Sequence, residues 1–172
     1  LSPYISRGVI SVKQVTEAMF VKGYIFSEME KFIQQLAWRE YFQRVWQAKG
    51  KEIDTELAKT QPNVQHEEMI LSVVNAETGI TAVDEQIKFF YETGYLHNHV
   101  RMYIASIVCN IGKAHWKQPS RWMYYHLLDA DLASNNCSWQ WVASAFSSKK
   151  YYCNQQNINK FCKSNQENTF LD

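Results

Sequence analysis

The sequence is poor in the residues that interrupt regular structure, with six glycines and three prolines among 172 residues. An all-β chain needs many tight turns, which these two residues favour, so their scarcity argues against a sandwich or a barrel. No segment alternates convincingly between apolar and polar residues with a period of two. A chain of this length can bury one sizeable core, and we therefore expect a single all-α domain.

An excess of either charge sign is also missing, since the formal net charge is +1. No overall basic field attracts nucleic acid, although a local basic groove stays possible. There is no long hydrophobic run either: residues 100–111 are too few to cross a bilayer and include Arg101. With no signal peptide in view, we expect a cytoplasmic protein with no membrane partner.

Metal-binding patterns are absent from the sequence. The four cysteines show neither a CxxC pair nor zinc-type spacing, and reduced thiols are the simplest interpretation. His97 and His99 are two positions apart, so in a helix they face different sides. Cys153 and Cys162 have no companions at the spacing of an iron–sulfur cluster. We expect no metal, and we leave the oligomeric state open.

What the sequence does contain is helical periodicity and many aromatic residues, which make up 15% of the chain. Ser11 is a candidate N-cap for the helix that follows it. Residues 27–50 carry two apolar stripes at i, i+4 spacing and stop at Gly50, which predicts a long interior helix. Further helices are expected within 78–94, over 100–111, near 120–128 and in the segment 127–146.

The segment LLDADLASNNCSWQWVASAF, residues 127–146, interleaves acids and asparagines with tryptophans. In a helix, Asp131, Asn135 and Trp139 share one stripe, which could present an acceptor, an amide and an indole to a planar ligand. The alternative is structural: Asp129 and Asp131 would act as helix N-caps and Asn135 would be exposed.

Several motifs carry a resemblance to a known family. They are LSPYISRG (1–8), QLAWREYF (35–42), TGITAVD (78–84), TGYLHNHVRM (93–102), HW (115–116) and DADLASNNCSWQW (129–141). Because these motifs occur in the order found in the family, the chain resembles the C-terminal flavin-binding domain of the DNA photolyase/cryptochrome family. The resemblance implies a helical bundle of that type, with residues 1–150 as a helical FAD-binding domain and 151–172 as a polar C-terminal tail. It also implies that the antenna domain found upstream in this family is absent from the chain.

The cofactor implied by the resemblance is FAD. Asp129 and Asp131 would lie near the pyrimidine edge and the ribityl side, and Asn135 would face N5, where its amide can donate or accept. Arg101 would pair with Asp129 and hold positive charge near a reduced flavin. The full set of implied cofactor-binding residues is Ser2, Phe32, Gln35, Arg39, Asn98, Arg101, Asp129, Asp131 and Asn135.

An electron relay is implied as well. Trp139 and Trp116 match positions at which tryptophans of the family pass an electron to photoexcited flavin, and Asn135 completes the implied catalytic set. The distal tryptophan of the family has no counterpart, since a simple count places Asn63 there. The relay would then end early or divert through a tyrosine such as Tyr91 or Tyr95.

The substrate implied is DNA containing pyrimidine dimers, repaired by electron transfer from reduced flavin to a flipped lesion. Implied contacts are Gln35, Trp38, Arg39, Asn98, His99, Met102 and Trp141, with Trp38 and Trp141 as aromatic walls. The residues that distinguish the branches of the family disagree here. Photolyases that repair cyclobutane dimers have an acid at the position of Gln35, whereas Asn98 is the residue usual in those photolyases. Two alternatives remain: a cryptochrome-like blue-light photoreceptor without repair, and a flavin-free helical interaction module.

Overall fold

Helices build the part of the chain that the computed structural model describes, residues 1–171. They are α1 Ser2–Ser6, α2 Val12–Val21, α3 Phe26–Lys49, α4 Leu71–Val74, α5 Thr81–Thr93, α6 Asn98–Ser106, α7 Lys117–His126, α8 Leu132–Val142 and α9 Gln155–Cys162. A 3₁₀ helix, Gly50–Asp54, follows α3, and a π-helical turn, Ile107–Ile111, continues α6. Over residues 1–171 the only extended pairing is an isolated bridge between His66 and Ala114. The all-α prediction is confirmed.

Local signals account for several helix ends. The Ser11 side chain accepts from the Gln14 N–H, and the Gln14 side chain accepts in return from the Ser11 N–H, which makes the predicted cap a full capping box. Helix α3 ends at Gly50, whose φ of 55° is one that other residues rarely adopt. Both ends were predicted correctly.

Helix α8 lies at the centre of the fold and packs against α3, α6 and α7. It is buried on most sides, and its polar residues are buried together with its apolar ones. Gln140 shows how this is tolerated: its Oε1 accepts from the Leu57 N–H at 2.8 Å, and its Nε2 donates to the Ile53 carbonyl at 3.2 Å. Buried polar groups with partners carry little penalty.

The prediction that α3 is interior is wrong. Only Met29 and Leu36 of this helix are buried, while Trp38 is 53% and Tyr41 46% exposed. Phe32 and Leu36 pack with residues of α1 and α2, and Phe42 and Val45 pack with α8 and the 3₁₀ helix. The covered face therefore takes residues from both predicted stripes and leaves much of each exposed. The long helix forms a wall instead of a core element.

Residues 151–171 contain α9, whose Ile158 is fully buried in the main core. Cys153 belongs to the same core. The Asn110 side chain donates to the Tyr151 carbonyl at 2.8 Å and to the Val142 carbonyl at 3.0 Å, which fastens the start of this segment to α8. None of the helices in residues 1–171 combines the length and apolar character needed to cross a bilayer.

Candidate functional site

A groove runs between α3 on one side and α6 and α8 on the other. It consists of a cavity of about 490 Å³, bordered also by α1 and residues 95–97, and a smaller one of about 120 Å³ that reaches α7. The two adjoin, because they share the lining residues Asn98, Arg101, Asp129, Asp131, Ser134 and Ser138. Their volume suits a cofactor, since ligand pockets measure roughly 300–1,000 Å³.

Every residue predicted to bind the cofactor lines this groove. The larger cavity is lined by Ser2, Phe32, Gln35, Arg39, Asn98, Arg101, Asp129 and Asp131, and the smaller one by Asn135 together with the last four of these. They come from α1, α3, α6 and α8 and from the turn before α8. The fold therefore brings together side chains that are more than 130 positions apart in the chain.

The charged pair Arg101–Asp129 forms the floor of the groove. One guanidinium nitrogen of Arg101 donates to both carboxylate oxygens at 2.9 Å, and its Nε donates to the Leu96 carbonyl at 2.9 Å. The side chain of Asp129 is only 7% exposed. A buried carboxylate needs such a partner, so the predicted pair is confirmed and places a fixed positive charge beside the cavity.

Asp131 has several protein partners. It is the N-cap of α8, with Oδ1 accepting from the Ser134 N–H at 2.8 Å. Its Oδ2 accepts from Arg39 at 3.1 Å and from Gln43 at 2.6 Å. The N-cap interpretation is thus confirmed for Asp131, which also ties α8 to α3 across the groove. Sequence reasoning missed Gln43, although it stands one helical turn after Arg39 and so shares its face.

Asn135 is buried, with 8% exposure, so the alternative of an exposed asparagine is wrong. Its Nδ2 donates to the Ser120 carbonyl at 3.0 Å and to Oδ1 of Asn136 at 3.3 Å. Both amide hydrogens are therefore used inside the protein. Oδ1 remains as the atom that can accept from a ligand in the groove.

The residues predicted to contact DNA divide into two groups. Gln35, Trp38, Arg39, Asn98 and Met102 line the groove. His99 and Trp141 do not.

The His99 ring stacks on Phe161 of α9 with 3.9 Å between ring centroids, and burial, followed by the charge of His97, lowers its pKa. The Trp141 ring lies against the Tyr151 ring, with 6.0 Å between the ring centroids. Both rings thus contact residues 151–171, a segment that contains none of the family motifs.

The two predicted relay tryptophans belong to one core cluster. Trp139 lines the smaller cavity and is 2% exposed, whereas Trp116 is fully buried. Within residues 1–171 the Trp116 Nε1 has no hydrogen-bond partner. Of the tyrosines considered as an outlet, Tyr95 lines the larger cavity, and Tyr91 accepts from the Trp122 indole at 3.2 Å.

No group of three or more histidine, cysteine, aspartate or glutamate side chains in residues 1–171 is placed to hold a metal ion. Burial raises the pKa of the thiols of Cys137, Cys153 and Cys162, in the case of Cys137 to about 12. These thiols are therefore weak metal ligands and weak nucleophiles.

Comparison with known proteins agrees with this geometry. A family model described as the FAD binding domain of DNA photolyase matches residues 32–170. Deoxyribodipyrimidine photo-lyases are among the relatives: that of Vibrio cholerae is 28% identical over 156 residues, and that of a Synechococcus strain is 30% identical over 154. Each alignment covers 84% of this chain and 32% of the relative. The chain thus spans about one third of the length of these curated relatives.

Solved structures show the same fold. The cryptochrome of Synechocystis sp. PCC6803 superimposes with a TM-score of 0.80 and 24% identity, over 94% of this chain and 35% of that protein. A Sulfolobus tokodaii photolyase, solved with two FAD molecules, gives a TM-score of 0.76 and 24% identity, over 95% of this chain and 37% of that protein. Since the family model accounts for most of the sequence, the chain belongs to the family of FAD-binding domains of DNA photolyase.

Proposed function

We propose that this chain binds FAD in the groove and supports light-driven electron transfer there. The observation that carries the proposal is the convergence on one groove of all the side chains implied as cofactor contacts. The donor set suits a flavin, because it combines a partly buried guanidinium paired with a buried carboxylate, an amide oxygen and apolar walls. Those walls are formed by Met102, Ala105, Met123, Leu127, Trp139 and Val142.

Each polar residue would have a distinct task. Arg101, held by Asp129, would place positive charge where a reduced isoalloxazine ring is negative. Asn135 Oδ1 would accept a hydrogen bond from N5–H of the reduced ring. Arg39, held by Asp131, and Ser2 at the mouth would reach the ribityl and pyrophosphate side.

Bound FAD supplies an oxidised ring that absorbs blue light and takes up an electron. Trp139 would be the first donor, because it lines the smaller cavity, and Trp116 would follow it in the same core. The buried Trp116 Nε1 has no acceptor within residues 1–171, so the protein offers the oxidised indole no direct route for losing its proton.

The first test is titration of the purified chain with FAD, followed by removal of the excess and measurement of the visible spectrum and of flavin fluorescence. We expect one FAD per chain. Arg101→Ala should bind it at least about tenfold more weakly, which corresponds to the loss of about 1.4 kcal/mol. Arg44→Ala is the control, since its ion pair with Glu40 lies on the exposed face of α3. A chain that stays colourless with intact helical structure would contradict the proposal and favour the flavin-free interaction module.

We further propose that the longer relatives' activity, repair of pyrimidine dimers in DNA, extends to a protein containing this chain as its C-terminal part. Gln35, Trp38, Arg39, Asn98 and Met102 at the groove would receive a flipped lesion. The test is repair of an ultraviolet-irradiated oligonucleotide under blue light. Loss of dimers only when both light and FAD are present would support repair.

The second candidate is a blue-light photoreceptor without repair, and Gln35 favours it. This side chain lines the groove, yet its amide donates only a neutral hydrogen bond, where a carboxyl group could stabilise a lesion by sharing its proton. Gln35→Glu separates the two functions. Repair that appears only in the variant would indicate a photoreceptor, and repair already present in the unmodified chain would exclude it.

A further inference from the structure

We propose that Asp54 and Asn136 are positioning residues that set the orientation of the Asn135 amide, so that Asn135 offers the flavin an acceptor and not a donor. This inference rests on the proposed FAD site. Neither residue belongs to the motifs' implied contacts, and neither lines the groove. They connect α8 to the 3₁₀ helix that follows α3.

The argument begins at Asp54, in the 3₁₀ helix that follows α3. Its Oδ1 accepts from Nδ2 of Asn136 at 3.0 Å, and the same nitrogen donates to the Ile53 carbonyl at 3.4 Å. A carboxylate and a carbonyl can only accept, so both hydrogens of the Asn136 amide are directed toward the 3₁₀ helix. Asn136 is 3% exposed, and a reversed amide would set its oxygen against these two acceptors.

The orientation passes from Asn136 to Asn135. With its nitrogen turned toward Asp54, Asn136 presents Oδ1 to Nδ2 of Asn135 at 3.3 Å. The Ser120 carbonyl accepts the second hydrogen of that nitrogen at 3.0 Å. A reversed Asn135 would bring its oxygen against two acceptors, so its Oδ1 is held on the side of the groove.

The direction of these hydrogen bonds is set by acceptors at both ends, the Ser120 carbonyl at Asn135 and the Asp54 carboxylate at Asn136, and only the carboxylate belongs to a side chain that can be replaced. The contact of the carboxylate with Asn136 is charge-assisted and short, whereas the contact with the Ile53 carbonyl is long and weak. Asp54 and Asn136 both border a separate cavity of about 240 Å³, together with Lys117, Ser120 and Arg121. The hydrogen-bonded route from Asp54 to the groove runs through Asn136 and Asn135.

The consequence concerns the protonation of the cofactor. An acceptor facing N5 stabilises a ring that carries a proton there, whereas a donor stabilises one that does not. Replacing Asp54 by Asn allows residue 54 to donate, which lowers the free-energy cost of reversing the two amides, although the Ser120 and Ile53 carbonyls still oppose it. The protein would then lose part of its preference for the protonated, reduced ring.

The decisive experiment compares Asp54→Asn with Asp54→Glu and with Glu52→Gln as the matched control. Glu52 lies in the same 3₁₀ helix, but its side chain is 67% exposed and pairs with Lys49. Two quantities are measured: the redox midpoint potential of bound FAD, and the hydrogen-exchange rates of the Asn135 and Asn136 side-chain amides by NMR in the flavin-free chain.

We expect Asp54→Asn to lower the midpoint potential and to raise both exchange rates by at least about tenfold, which corresponds to the loss of a charge-assisted hydrogen bond. In Asp54→Glu the midpoint potential and the exchange rates should stay close to those of the unmodified chain, because the carboxylate is kept. Glu52→Gln should change neither quantity. A potential and exchange rates in Asp54→Asn equal to those of Glu52→Gln would overturn the inference.

Two further outcomes are informative. If Asp54→Asn does not fold, Asn136→Leu replaces it: an Asn135 side-chain amide that exchanges at least about tenfold faster than in Glu52→Gln would support the positioning role, and an unchanged rate would overturn it. If the unmodified chain takes up no FAD, the proposed function fails, while the exchange rates still test the orientation of Asn135.

Discussion

At the scale of single residues, the groove depends on charges that are buried and paired. Asp129 is almost enclosed, and Arg101 satisfies both of its carboxylate oxygens. A pair of this kind adds little compared with apolar packing, but it is costly to break from one side, because the remaining charge is stranded. The same pair that would tune a flavin thus also limits which substitutions the fold tolerates.

Arg101→Ala should lower the free energy of unfolding by about 3 kcal/mol, because it leaves the Asp129 carboxylate buried without a partner. Urea denaturation followed by circular dichroism measures this. Arg44→Ala, which breaks an exposed i,i+4 pair with Glu40, should cost less than about 1 kcal/mol. Equal losses in the two variants would show that the Arg101–Asp129 pair is not a buried ion pair in solution.

Trp139→Phe should slow photoreduction of bound FAD by at least about tenfold, because a phenyl ring is much harder to oxidise than an indole. Time-resolved absorption under blue light with an added thiol provides the measurement. Trp46→Phe is the control, since Trp46 lies on α3 outside the groove and is 38% exposed. An unchanged rate in Trp139→Phe would remove this residue from the relay.

At the scale of helices and turns, the turn 126–129 matters because it carries Asp129 to its place. The Leu128 N–H donates to the Gly94 carbonyl at 2.9 Å, which joins this turn to the end of α5. Gly94 has φ of +67°, and a Cβ there would stand 2.7 Å from Leu128 Cγ and 3.1 Å from the His126 carbonyl. Glycine is needed both for the backbone conformation and for the close approach.

Gly94→Ala should therefore destabilise the chain by about 2–4 kcal/mol, combining left-handed strain with a steric clash. Gly23→Ala is the matched control, because Gly23 has φ of +84° but nothing within 4 Å of its added Cβ. It should cost only about 1–2 kcal/mol. Chemical denaturation compares them, and a cost at Gly94 no larger than that at Gly23 would mean that the turn 126–129 is not tightly packed.

Glu56 and His115 join the loop after the 3₁₀ helix to the start of α7, with 2.7 Å between Oε1 and Nε2. The hydrogen bond from His115 is the main reason why the pKa of the Glu56 carboxyl lies below its ordinary value of 4.5. Because the pKa is lower in the folded chain, this contact stabilises the fold above pH 4.5 and is lost as the pH falls through the folded value.

Glu56→Gln should thus be less stable than the unmodified chain near neutral pH, and the difference should shrink on acidification below pH 4.5. Unfolding free energies from urea titrations at a series of pH values measure the difference. Glu67→Gln, at an exposed position of the following loop, controls for general charge effects. A difference that stays constant with pH would contradict the assigned contact.

At the scale of the whole molecule, α8 is the central element, and the groove, the core and residues 151–171 all meet around it. Tyr151 is fastened beside the end of α8 through Asn110, and α9 inserts Ile158 into the main core. This packing suggests that the C-terminal residues belong to the folded unit, in contrast to the polar tail expected from their composition.

Ile158→Ala should then cost about 3 kcal/mol of unfolding free energy, because it creates a cavity in the main core. Tyr152→Ala, at a position that is 54% exposed, should change stability by less than about 1 kcal/mol. Thermal and urea unfolding compare the two. A negligible effect of Ile158→Ala would mean that residues 151–171 are a dispensable tail.

The helical class, several helix ends and, through the family motifs, part of the lining of the groove were predictable from the sequence. Helix caps, such as Ser11 with Gln14, and helix ends, such as Gly50, depend on a few neighbouring residues. They can therefore be predicted without knowledge of the fold. The motifs likewise indicated Arg101, Asp129 and Asn135, since they match those of the family in residue type and in order along the chain.

Only the tertiary structure decided which partners these side chains meet. Arg39 and Asp131 are 92 positions apart, and their contact depends on how α3 crosses α8. The exposure of α3, the engagement of His99 by α9 and the direction of the Asn135 amide likewise follow from packing between distant segments. Helical periodicity assigns a face to a residue, but it does not say whether that face meets a helix, a cavity or water.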